Sequence, residues 1–257
     1  MQDRYALLFY EKLELHIVAT SLLSMTATDL NQGDPSPVRS NMARYYPESK
    51  VEIDGFAAKK YDALMDILSF GMYERFLRSA LETMEIQEGE AVVDLGCGTG
   101  RNACLMRSYI GEKGYLLGLD ISNIMRKQFE KKCLSYGNVD FKTQRIDQPF
   151  KLDRKFDRAF ISFVLHGFPQ DVRRTIAQNV HNHLKPGGKF CILDFNEFSL
   201  KEMPFYYRIP FKTVECVYAF DFIKRDWKAL LTDWGFGNFR ETPMFKKYVR
   251  LLIAEKQ

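Results

Sequence analysis

The sequence is short of what several protein classes require. Its five cysteines, Cys97, Cys104, Cys133, Cys191 and Cys216, form an odd set without a C-x-x-C pair, which indicates neither a disulfide framework nor a zinc site. Reduced thiols in a cytoplasmic protein are the expectation. No cluster of His, Cys and carboxylates stands at ligand spacing, so no metal is expected. No run reaches the ~18 uncharged apolar residues a membrane span needs. The apolar flavour of the start is broken by Asp3, Arg4, Glu11, Lys12 and Glu14, so it reads as neither a signal peptide nor a membrane span. Blocks of like charge are missing too. The 37 Lys and Arg and 33 Asp and Glu are dispersed, and a net charge of +4 leans weakly toward anionic surfaces without marking a nucleic-acid site. Internal repeats and low-complexity tracts are absent.

What is present suffices for one sizeable α/β domain: 257 residues, 46% of them apolar. Residues 31–50, with three prolines among Gly, Ser and Asn, punctuate the chain as a linker. Residues 1–50 are therefore read as an N-terminal extension and linker, and 51–257 as the main domain. Two readings of the first 30 residues stand side by side. Leu7, Leu8, Leu15, Val18 and Leu22 recur at helical spacing, as in an amphipathic helix packing on the domain, a partner or a membrane surface. Alternatively, Met42 is the functional start and the stretch upstream of it is poorly ordered.

From residue 54 onward a helical stretch, FAAKKYDALMDILSFGMYERFLRSALETM, precedes short apolar segments that alternate with helix-like ones. Strands are expected at 91–95, 115–120, 139–143, 157–163 and 189–194, and helices near 101–110, 122–135, 170–183 and 225–234. Segments 237–244 and 247–255 pattern as an antiparallel hairpin. The expected fold is α/β: a Rossmann-like, seven-stranded, mostly parallel sheet with helices on both faces and an antiparallel C-terminal hairpin.

The segment Glu90-Ala-Val-Val-Asp-Leu-Gly-Cys-Gly-Thr-Gly100 sets a buried strand directly before glycines at alternate positions, Gly96, Gly98 and Gly100, and then a helix. Glycines there let the backbone turn tightly and lie against a ligand at a helix N-terminus. Asp94 ends the strand and aims a carboxylate into the same crevice. Asp120 ends the second strand about 20 residues past the loop, the place from which an acid accepts ribose hydroxyls. A dinucleotide site reads G-x-G-x-x-G; the D-x-G-x-G-x-G form here favours S-adenosylmethionine instead.

In these motifs the chain resembles the class I S-adenosylmethionine-dependent methyltransferases, over about residues 54–255. The resemblance implies that Asp94 and the loop Gly96, Cys97, Gly98 and Gly100 hold the methionine part, and that Asp120 holds the ribose. It places Ile121 against the adenine and Asp147 at the adenine amino group. LKPGGKF, residues 184–190, is similar to the family's turn into the fifth strand. The stretch from Ala58 to Gly71, with its Tyr-Asp and Ser-Phe-Gly, together with Leu119-Asp-Ile-Ser122 and Ile161-Ser-Phe163, resembles the ubiquinone and menaquinone biosynthesis C-methyltransferases. That likeness puts Tyr61 over the methionine end and implies a small, lipophilic acceptor such as a quinol precursor. The chain departs from it after the fourth strand, where His166-Gly-Phe-Pro169 replaces an Arg-Asn-Phe-Pro variant. Phospholipid or other small-molecule methylation, and a non-catalytic cofactor sensor, therefore stay open.

The sulfonium carbon is already electrophilic, so the enzyme must chiefly place a nucleophile and exclude water. His166, just after the fourth strand, is the candidate general base. His181 and His183 are expected at the surface. Residues 196–222, the densest aromatic stretch, read either as an apolar lid for the acceptor or as core packing of an insertion. A protein or nucleic-acid acceptor would call for a polar target motif after the fourth strand, where the chain reads SFVLHGFP.

Overall fold

The computed structural model describes residues 60–68, 71–133 and 135–257, with 45, 46, 48 and 49. The readings of residues 1–44 lie outside the described residues. Helix α1 spans Tyr61–Leu68 and α2 spans Tyr73–Met84. The single helical stretch expected before the first strand is thus broken at Gly71, whose φ of 74° suits glycine and whose N–H donates to the Asp66 carbonyl at 2.6 Å. Helix α2 is held by one apolar stripe, Tyr73, Phe76, Leu77, Ala80, Leu81 and Met84, at helical spacing.

There follow β1 (Ala91–Leu95), α3 (Arg101–Ile110), β2 (Tyr115–Asp120), α4 (Asn123–Cys133), β3 (Val139–Thr143) and β4 (Phe156–Ser162). A 3₁₀ turn at Leu165–Gly167 leads into α5 (Gln170–His183) and β5 (Leu184–Phe195). Then come α6 (Phe205–Val214), α7 (Val217–Phe222), α8 (Trp227–Asp233), β6 (Phe236–Phe245) and β7 (Val249–Lys256). The sheet order is β3-β2-β1-β4-β5-β7-β6. The first five strands are parallel, and β7 slots antiparallel between β5 and the edge strand β6. This is the expected Rossmann-like seven-stranded sheet with its antiparallel C-terminal hairpin.

The Lys185–Gly188 turn lies within the bounds of β5. The ladder to β4 jumps from Phe156↔Leu184 to Arg158↔Lys189, and Gly187 takes a φ of 70° in the intervening bulge. Chain order reverses between β1, which neighbours β2, and β4 on its other side, so a crevice opens at the carboxyl ends of these strands.

Two expectations are corrected. Cys104 and Cys133 form a disulfide between α3 and α4; their separation of 29 residues carries no local spacing signal, while Cys97, Cys191 and Cys216 are free and buried. His183 is not at the surface but 6% exposed: its ring stacks on Phe150 at 4.9 Å, and its Nε2 accepts the Leu152 N–H at 3.0 Å. His181 is half-buried, against Phe236.

Candidate active site

The three loop glycines serve different ends. A Cβ on Gly96 would lie 2.8 Å from Val164, and one on Gly100 would lie 2.7 Å from Phe129 and 2.9 Å from the Cys133 sulfur, so both let the loop pack on its own protein. At Gly98, with a φ of 53°, nothing lies within 4 Å of the Cβ position. The Gly98 N–H donates to Asp120 Oδ2 at 2.9 Å, and the Ser122 N–H donates to Oδ1 at 2.8 Å. Asp120 therefore clamps the glycine loop to the end of β2, and burial holds its carboxyl above the ordinary range. Ile121 beside it is 39% exposed.

Asp94 is the anomaly of the crevice. It is 1% exposed, and neither carboxylate oxygen has a hydrogen-bond partner. Burial, with the like charge of Asp120 behind it, pushes its carboxyl up to about 8. A buried acid with no partner is costly unless a ligand satisfies it. Together with the open face of Gly98, it fits the ammonium and backbone-like end of an amino-acid ligand.

Helix α1 is fastened over this loop. The Thr99 hydroxyl donates to Asp62 Oδ1 at 2.8 Å, and Lys132 pairs with Asp62 Oδ2. Arg101 donates to both oxygens of Asp66, at 2.6 and 2.7 Å. Tyr61, on the same turn as Asp62, packs against the core, and burial with the Asp62 charge pushes its hydroxyl up to about 12. Asp147 is already engaged. Arg145 donates to it, and the Tyr46 hydroxyl does so at 2.9 Å. Burial works against its charge, but these donors outweigh burial and lower its pKa.

After β4, Phe163 adopts a φ of 52°, a strained conformation for a bulky residue, at the mouth of the same crevice. Three residues on, His166 is 9% exposed. Its Nδ1 lies 2.7 Å from Asp194 Oδ1, its backbone N–H donates to Asp194 Oδ2 at 3.1 Å, and its Nε2 lies 3.5 Å from Glu215. Burial disfavours the imidazolium, but Asp194 and then Glu215 outweigh it and hold the ring above the ordinary 6.5. The fully buried Arg173 steadies this turn by donating to the carbonyls of His166 and Tyr218 and pairing with Asp221 on α7. Phe195 lies 4.9 Å from the imidazole and Phe222 lies 6.4 Å from it.

The aromatic segment 196–222 divides between core and surface. Tyr207, Phe211 and Phe222 pack into the core, with Phe211 5.0 Å from Phe195, whereas Phe205, Tyr206 and Ile209 are exposed. Sequence reasoning missed Asp62, Asp66 and Arg101, although the first two share a helical face and Arg101 directly follows the last glycine. It also missed Asp194 and Glu215, 28 and 49 positions from His166. Asp194 did carry a signal, since like Asp94 and Asp120 it is an acid near the end of a buried strand.

Comparison with known proteins bears on this geometry. Residues 48–222 match the ubiE/COQ5 methyltransferase family. A demethylmenaquinone methyltransferase of Staphylococcus epidermidis is 29% identical over 168 residues, covering 65% of this chain and 68% of that one. A ubiquinone/menaquinone biosynthesis C-methyltransferase, UbiE, of Escherichia fergusonii is 30% identical over 144 residues, 54% of this chain and 56% of its own. Among solved structures, a SAM dependent methyltransferase from Aquifex aeolicus superposes with a TM-score of 0.59 at 21% identity, over 80% of this chain and all of that one. Human N-acetylserotonin methyltransferase, solved in complex with SAM, gives 0.57 at 15% identity over 77% of this chain and 55% of its own. At these identities the structural likenesses speak for the fold.

Proposed function

The chain belongs to the ubiE/COQ5 methyltransferase family and is an S-adenosylmethionine-dependent enzyme, and from that premise we propose that it methylates a small lipophilic acceptor of the quinol-precursor type. One observation carries the acceptor: the polar pair His166 and Asp194 stands at the carboxyl end of β4 among the rings of Phe195 and Phe222, a polar anchor set in an aromatic surround. The names of the relatives, two of them enzymes of menaquinone or ubiquinone formation, agree with it.

When bound, S-adenosylmethionine supplies an electrophilic methyl carbon on its sulfur. Asp94 would take the ammonium of its methionine end, with the backbone of Gly96, Cys97, Gly98 and Gly100 and Tyr61 of the cap holding the same part. Asp120 would accept hydrogen bonds from the ribose hydroxyls on its remaining lone pairs, and Ile121 would hold the adenine. Asp147, already satisfied by Arg145 and Tyr46, has a weaker hold on the adenine amino group. His166 takes the proton from an acceptor hydroxyl, and the electron density left on the ring makes carbon or oxygen nucleophilic toward the methyl group.

In calorimetry, Asp120→Ala is expected to weaken S-adenosylmethionine binding by at least ~10-fold, through lost hydrogen bonds to an ionised group and a loosened loop. Asp147→Ala should cost less; a larger loss there than at Asp120 would reverse the two assignments. The acceptor is tested by incubating the protein with S-adenosylmethionine and a short-chain demethylated quinol under reducing conditions, then seeking the methylated product by mass spectrometry. Product formation supports the reading. Cofactor binding without product on quinols, but with product on phospholipids or other small molecules, overturns it.

A further inference from the structure

Helix α6 presents two unlike faces. Tyr207, Phe211 and Val214 are buried, whereas Phe205 is 65% exposed, Ile209 61% and Tyr206 49%. At 100° per residue, Phe205, Ile209 and Lys212 fall within one narrow stripe, flanked by Tyr206 on one side and Arg208 on the other. Exposed apolar side chains are ordinary singly, but a contiguous group marks a contact surface.

The rim of this patch is basic. Lys201 precedes the helix, Arg208 and Lys212 lie on it, and Lys246 and Lys247 come from the turn between β6 and β7. That turn adjoins α6, because Tyr207 packs 6.1 Å from Phe245 and Lys246 donates to the Tyr207 hydroxyl. Of the acids nearby, Glu202 lies 3.5 Å from Lys247, whereas Glu215 lies 3.5 Å from His166 and Glu197 pairs with Arg250.

We propose that the outward face of α6 docks on an anionic lipid bilayer, Phe205, Tyr206 and Ile209 entering the headgroup boundary and the surrounding lysines and arginine meeting lipid phosphates. Aromatic and aliphatic side chains ringed by cations are what such an interface selects, since the rings bury apolar area while the cations gain from the negative surface. A second protein copy is a poorer match. A few side chains on one short helix fall far below the ~1,200 Å² that a specific protein interface buries. Among the described residues no helix is long and apolar enough to cross a membrane. The buried face of the same helix reaches the candidate base, as Phe211 packs on Phe195, which lies 4.9 Å from His166. That α6 serves acceptor entry rests on the acceptor proposed above; the docking itself does not.

The test is flotation of the full chain with vesicles of phosphatidylcholine, either alone or with ~30% phosphatidylglycerol. The protein is expected to float with the anionic vesicles, poorly with the neutral ones, and to be released at ~0.5 M salt. Phe205→Ser with Ile209→Ser should lower partitioning at least ~10-fold, and Lys201→Gln with Lys212→Gln should lower it at low salt, both variants binding S-adenosylmethionine as the parent does. Failure of the parent to float with anionic vesicles, or unchanged flotation of the Ser variant, overturns the proposal. So does light scattering that shows a dimer lost in the Ser variant, which would give the face to a second copy. Flotation combined with no methylation of any quinol leaves the docking surface standing and removes only the acceptor.

Discussion

Asp94→Asn is expected to weaken S-adenosylmethionine binding by ~100-fold or more, the usual cost of removing one member of a buried charge pair, and at the same time to stabilise the ligand-free protein at pH 8. Both effects come from the same carboxylate. It is buried with neither oxygen partnered, and burial together with Asp120 pushes its pKa from 3.8 up to about 8. The sign follows from linkage. Below pH 3.8 the group is neutral folded and unfolded, and nothing is lost. Between 3.8 and about 8 the unfolded chain releases a proton that the folded chain retains, so stability falls as pH rises across that window and levels off above it.

Asparagine has the same shape and no charge, so the pH-dependent loss disappears, offset in part by the ~1–3 kcal/mol of an amide without partners. Denaturant melts of parent and variant at pH 5 and pH 8, without ligand, should show the parent losing stability between the two and the variant losing less. A cationic ligand adds a second readout. An acid with a pKa of about 8 is mostly protonated at pH 7, and pairing with an ammonium ionises it, so binding should release roughly one proton. Calorimetry in buffers of different ionisation enthalpy reads that number directly. Unaltered affinity in the variant, or binding without proton release in the parent, would take the cofactor's ammonium away from Asp94.

Much of this centre was legible because its residues sit where local pattern changes. Strands β1, β2 and β3 and helices α3 and α5 occupy their expected bounds, since each apolar run ends at a glycine, an acid or a turn that stops its period. Asp94 and Asp120 stood out as acids closing buried strands. What stayed hidden depends on pairs far apart in the chain. The Asp62 latch joins residues 37 and 70 positions away, and the Cys104–Cys133 bond joins two helices with no motif between them. His183 patterned as a surface residue on the polar side of α5. Only the fold brings Phe150 over its ring and the Leu152 N–H to its Nε2. The break at Gly71 was missed because a lone glycine in a helical pattern is tolerated as often as it terminates one.

His166→Ala is expected to lower turnover by ~100-fold with S-adenosylmethionine affinity nearly unchanged, the signature of a lost general base. The surroundings of the ring make its pH dependence diagnostic. Asp194 at Nδ1 fixes the neutral tautomer so that Nε2 is the basic nitrogen, yet Glu215 sits 3.5 Å from that same nitrogen. Both carboxylates favour the imidazolium, so the ring is charged below a pKa that lies above 6.5, and turnover should rise with pH through that value. Stability runs the opposite way: the protonated ring contributes below 6.5, and the contribution is lost as pH climbs through the folded pKa. Glu215→Gln removes one of the two attractions and should move the rising limb of the rate profile to lower pH, while Asp194→Asn should both lower it and reduce the plateau by loosening the ring. A structural histidine would give neither shift. Should turnover in Glu215→Gln keep the parent's limb, the titrating group is not His166, and the proton leaves the acceptor by another route.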